Sequence, residues 1–238
     1  MSKTLLVIQA HGGMEPHVHR HWPYWKASGL DILGVDRVDG VVQWPHAVLS
    51  DSLPTISIGR STYIDKETGN MIRIMVDTFR YCLSAKWSDY SDFMMIDYDA
   101  VIISKPPPHP GGFASTLAAY CPPEWKTKST RCFGTPWWMD RETCARFVAE
   151  GERSLAAGEY DNGTPDCYCG LILDRTGIKF SPVNSFHRNT LDMRLPRLLN
   201  ECRDAIANEA WIIHGFRDPQ HLDYVLGRIP LSEVSNVL

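Results

Sequence analysis

Two carboxylates close an apolar run in Phe93-Met-Met-Ile-Asp97-Tyr-Asp99. An apolar strand does not bury unpaired charges, because each would lose its hydration without compensation. If the chain stays extended through them, residues i and i+2 share a face, so Asp97 and Asp99 point the same way. Two like charges so placed repel unless a cation sits beside them. Hard oxygen donors suit Mg²⁺ or Mn²⁺, ions that also bridge phosphates. The plain alternative is an acidic turn at a strand end. Other polar groups also stand after apolar runs: Gln9 and His11 after the first, and His214 after Trp211-Ile-Ile. Taken alone, a histidine in that place reads as a hydrogen-bonded structural residue. Asp166, in Thr164-Pro-Asp-Cys-Tyr-Cys, reads as a helix N-cap.

The elements that must position these groups follow from periodicity. Thr4 to Ala10 is a short apolar run of β-formers, a buried first strand ended by His11-Gly-Gly. Glu15 to Lys26 reads as a returning helix, Leu30 to Val35 as a second strand, and Thr55-Ile-Ser-Ile as a third. Met71 to Leu83 has helical spacing, and Phe93 to Ile96 is a further apolar strand. Lys105-Pro-Pro-Pro-His-Pro-Gly-Gly112 is the strongest breaker and predicts a surface loop. Cys132 to Met139 reads as extended. Asp140 caps a helix running to about Ala157, and Gly158 to Pro165 is a polar loop. Cys169 to Leu173 is apolar but too short to separate helix from strand. Leu195 to Ile206 reads as a helix, and Ala210 to Ile213 as a last strand delivering His214. Strands alternating with helices predict an α/β fold with a mainly parallel central sheet flanked by helices. Ligands bind such sheets beyond the carboxyl ends of the strands, where Gln9, Asp97, Asp99 and His214 fall.

A D-x-D after a helix and a short apolar strand resembles the motif of glycosyltransferases with the GT-A fold. The resemblance implies a single domain over residues 1–238, with a nucleotide-binding half near 1–104 and an acceptor half near 105–238. It implies that Asp97 faces the donor ribose or metal and that Asp99 ligates the divalent ion. Glycogenin-like members supply a third metal ligand from a C-terminal His-Gly, which His214 and Gly215 match, with Arg217 placed to meet the diphosphate. Their pattern continues into Lys-Pro-Trp, whereas this chain has Arg217-Asp-Pro219. Gln9 and His11 lie where the family holds the nucleobase and ribose. Arg73, on the helix before the D-x-D, is a candidate for the phosphates, with a solvated helix position as its simpler reading. Asp166 corresponds to an acidic residue on the acceptor side, a catalytic base in an inverting transfer. The implied cofactor is Mn²⁺ or Mg²⁺; the implied partners are a nucleotide-sugar donor and a hydroxyl acceptor of unknown class. Rival readings are a metal-dependent phosphohydrolase or nucleotidyltransferase, and a nucleotide-sugar-binding module without catalysis.

Composition narrows the setting. Of 238 residues, 44% are hydrophobic and 22% charged, which excludes disorder as the main state. A formal charge of −4 does not point to nucleic acid, a local basic patch aside. No apolar run reaches the roughly 18 residues of a membrane span, and the first apolar segment is too short for a secretory leader. Seven cysteines without framework spacing predict free thiols in a reducing cytoplasm. The pair Trp137-Trp138 is expected to pack in the core rather than face a sugar. His17-Val-His-Arg-His21 is expected to be a surface histidine cluster, in which only His17 and His21 share a helix face.

Overall fold

The computed structural model describes residues 3–10, 14–36, 55–57, 69–117, 131–159, 165–187, 194–216 and 218–229. The elements run β1 (Thr4–Ala10), α1 (Glu15–Ala27), β2 (Asp31–Asp36), β3 (Thr55–Ser57), α2 (Gly69–Cys82), β4 (Asp92–Asp97) and β5 (Ala100–Ile102). Then follow β6 (Phe113–Leu117), β7 (Phe133–Asp140), α3 (Arg141–Ala156), α4 (Pro165–Thr176) and β8 (Phe180–Pro182). Last come β9 (Ser185–His187), α5 (Leu195–Ala207), β10 (Ile212–His214) and α6 (Pro219–Leu226).

β1 is apolar along nearly its whole length, so both of its faces must be covered and both edges paired. It is an interior strand, third in a seven-stranded sheet of order β3-β2-β1-β4-β7-β6-β8. The pairings β3–β2, β2–β1, β1–β4 and β6–β8 are parallel; β7 runs antiparallel to both β4 and β6. The expected α/β architecture, with a mainly parallel sheet flanked by helices, is what the chain adopts. Side-chain alternation sorts the core. Leu5, Val7, Phe93 and Met95 meet Phe79, Phe147 and Ile172 from α2, α3 and α4 on one face. Leu6, Ile8, Met94 and Ile96 meet Val18, Trp22 and Trp25 of α1 on the other. Each large side chain buried in this way contributes about 1.5–3 kcal/mol. Trp137 and Trp138 are core residues, as expected, with exposures of 3% and 1%.

From β1 the chain steps outward to β2 and β3, then returns through α2 to lay β4 on the other side of β1. The crevice between the carboxyl ends of β1 and β4 is therefore the topological switch point. Arg141 braces the return: its guanidinium donates to the carbonyls of Leu83, Trp87 and Tyr90 and lies over the Phe93 ring, 5.0 Å from its centroid. Asp140 caps α3 as expected, accepting from the Thr143 amide at 2.7 Å. Its second oxygen accepts from the Gly112 amide at 3.0 Å. Gly112 has φ 74°, and a Cβ there would stand 2.4 Å from the Lys179 carbonyl oxygen. The double glycine after the proline run is what lets the chain enter β6 so close to the residues before β8.

A second sheet of order β5-β10-β9 packs beside the first. β10 runs antiparallel to β5 and parallel to β9, and Val101 and Ile213 bury against Leu198, Leu199 and Phe216. Cys169 to Leu173, undecided by sequence, lies in α4. The six described cysteines are buried, and the Cys132 and Cys167 sulfurs lie 3.2 Å apart. No helix among the described residues is long and apolar enough to cross a membrane.

Candidate metal centre

Asp97 is the last residue of β4, at the switch point, with Gln9 as its register partner on β1. The strand does not continue through the D-x-D. Tyr98 and Asp99 form a turn, and β5 begins at Ala100. The turn, rather than strand alternation, brings the two carboxylates together. His214 reaches them from more than a hundred residues away. β10 pairs antiparallel with β5, which sets His214 opposite Ala100.

The resulting cluster is tight. His214 Nε2 lies 3.0 Å from Asp99 Oδ1 and 3.8 Å from Asp97 Oδ2. One ligand atom from each of the three residues lies within 4.8 Å of the others. The side chains are 13%, 6% and 23% exposed for His214, Asp99 and Asp97, so the group is mostly buried rather than on the surface. Gly215 follows with φ 105°, a left-handed conformation that only glycine adopts without strain. That conformation folds the chain back over the turn, and the amides of Gly215 and Phe216 both donate to the Asp99 carbonyl at 3.3 Å.

Electrostatics define what the cluster accepts. Burial disfavours a charge on His214, but the charge and hydrogen bond of Asp99, with the charges of Asp97 and Asp166, outweigh it. They raise the imidazole pKa from 6.5 to about 9. A cation is favoured at this place, and in the metal-free protein the imidazolium supplies it. Two carboxylates and an imidazole also form a donor set for a divalent ion, so the Asp97, Asp99 and His214 group fits a metal ion by both charge and donor chemistry.

The charge of Asp166 also acts on His214. Asp166 is the second residue of α4, after Pro165. It is therefore not the N-cap that its sequence context suggests, but a first-turn carboxylate where the positive end of the helix dipole favours its charge. Gln9 is adjacent in register, but its amide turns into the core: it is 3% exposed, with Nε2 2.6 Å from the Met95 sulfur. Arg73 is exposed on α2. His11 and Arg217 lie outside the described residues.

The histidine run departs from expectation. It falls on α1, and His17 and His21 are buried, at 9% and 0% exposure, while His19 faces out. The reason is that α1 packs this face against the D-x-D turn, with the His17 ring edge-on to Tyr98 at 5.4 Å. No protein-family model matches the chain, and no curated protein matches it either.

Proposed function

We propose that the protein is a divalent-cation-dependent glycosyltransferase of GT-A type, moving a sugar from a nucleotide sugar, UDP-linked, to a hydroxyl acceptor. The observation that carries this reading is the meeting of Asp97, Asp99 and His214, within 4.8 Å of one another, at the switch point of a parallel half-sheet. In α/β sheets that is where nucleotides lie. The charge of Asp166, which also acts on His214, supports it further.

In this reading Asp99 and His214, with Asp97, hold Mn²⁺ or Mg²⁺. The bound ion supplies charge stabilisation to the departing diphosphate. Asp97 also faces the donor ribose, and Arg217, two residues past Gly215, adds a fixed positive charge toward the diphosphate. The bond from the anomeric carbon to the diphosphate oxygen breaks as the acceptor oxygen bonds to that carbon. In an inverting transfer the acceptor's proton passes to the Asp166 carboxylate; in a retaining one Asp166 orients hydroxyls instead.

The test is product identity. With Mn²⁺ and a panel of UDP-sugars, the wild type should release UDP, with sugar transferred to water or to simple saccharide acceptors. Asp99→Ala and His214→Ala should lower that rate by about a hundredfold or more, in line with loss of charge stabilisation at the leaving group. Release of inorganic phosphate or UMP in place of UDP would point instead to a phosphohydrolase or nucleotidyltransferase. Nucleotide binding without any turnover would leave a binding module.

A further inference from the structure

The turn that carries the carboxylates is gripped from both edges. On one edge the Asp99 carbonyl accepts the amides of Gly215 and Phe216. On the other edge the carbonyl of Tyr98, in the turn, and that of Ala100, the first residue of β5, face α1. Nδ1 of His21 lies 2.5 Å from the Tyr98 oxygen, and Nε1 of Trp25 donates to the Ala100 oxygen at 2.8 Å. β5 is an outer strand of the small sheet, and the Ala100 carbonyl turns to α1 rather than to β10. A buried carbonyl left unmatched is destabilising, and α1 supplies both donors from positions four apart on one helix face.

The chemistry of the two donors is specific. A carbonyl only accepts, so the His21 proton is on Nδ1. Burial pushes the His21 pKa from 6.5 down to about 4, so the ring is neutral at ordinary pH. Both side chains are fully buried, at 0% exposure. No surface requirement explains a histidine here.

We propose that His21 and Trp25 are positioning residues for the metal centre, fixing the Tyr98–Ala100 backbone so that the Asp99 carboxylate meets Asp97 and His214. Rotation of the Tyr98–Asp99 peptide would swing the Asp99 carboxylate away from its 3.0 Å contact with His214. The effect on a cation rests on the metal reading above; the hold on the turn does not.

The experiment separates the two. His21→Leu removes the donor, His21→Asn keeps an N–H on a side chain of similar reach, and Trp25→Phe removes the indole N–H while keeping a ring. Amide hydrogen exchange of Gly215 and Phe216 is followed in the metal-free protein, with Val7 and Met95 at the sheet centre as internal references. Mn²⁺ binding is followed by electron paramagnetic resonance at fixed pH. In His21→Leu and Trp25→Phe, exchange at Gly215 and Phe216 should rise about tenfold or more against the references, a local opening. Mn²⁺ affinity should fall about tenfold, the size of loss typical when a partner that orients metal ligands is removed. His21→Asn should recover both. Exchange at Gly215 and Phe216 that is unchanged, or that rises only in step with Val7 and Met95, overturns the proposal. If the wild type takes up no Mn²⁺, the metal reading fails and the exchange data alone decide the positioning role.

Discussion

His214 faces opposite demands with and without a cation. In the metal-free cluster its pKa is about 9, so the ring is protonated at neutral pH, whereas a coordinating imidazole must be neutral. Mn²⁺ binding at pH 7.5 should therefore release about one proton per ion, seen by calorimetry in buffers of different ionisation enthalpy; a buffer-independent heat would contradict it. The same shift sets a stability profile. Because the folded pKa lies above the unfolded value of 6.5, the stabilisation is complete below pH 6.5 and is lost as pH rises through 9. The full effect is about 3 kcal/mol. Metal-free wild type should lose melting temperature across that window, and His214→Gln should not show the loss. At this scale the sequence is most informative where a charged group ends an apolar run: Asp97, Asp99 and His214 stand out because burial without a partner is forbidden to them. It is silent on His21 Nδ1 and Gln9 Nε2, which meet a carbonyl and a sulfur that only tertiary packing brings near.

Among the elements, α5 ends in a turn with an unusual occupant. The Ala210 amide donates to the Ala205 carbonyl and the Glu209 amide to the Ile206 carbonyl, each at 2.9 Å, the paired bonds of a Schellman ending. Its left-handed position normally takes glycine, yet here Glu209 holds it at φ 64°. Glu209→Gly should stabilise the protein by about 0.5–1 kcal/mol, read by urea or thermal unfolding; a loss of stability would show that the glutamate side chain contributes more than its backbone costs. The long elements are legible because hydrophobic spacing repeats over several turns, as in α2, where Ile72, Met75, Val76, Phe79 and Cys82 are all buried. The three-residue strands β5, β8 and β9 are not, although β3 and β10, equally short, are legible from the alternating Thr55-Ile-Ser-Ile and the apolar run Ala210 to Ile213. β6 hides behind the breaker loop, and α6 is too short to announce itself.

For the molecule as a whole, ligand binding is a stability measurement. Nucleoside diphosphate and Mn²⁺ supplied at about a hundred times the Kd should add about 2.7 kcal/mol. For a domain of this size that raises Tm by roughly 5–10 °C. Asp99→Ala should abolish the part that requires metal, and an undiminished shift would remove Asp99 as a ligand. The α/β class and the site's place at the strand ends were readable from the order of apolar runs alone. The docking of the small sheet was not, because it depends on β10 finding β5 across most of the chain's second half. That pairing gives synthesis a direction. Asp97 and Asp99 leave the ribosome long before His214, and N-terminal regions fold first. The nascent chain thus carries two carboxylates without their imidazole until β10 docks, so cation capture at this centre is tied to completion of the second half of the polypeptide.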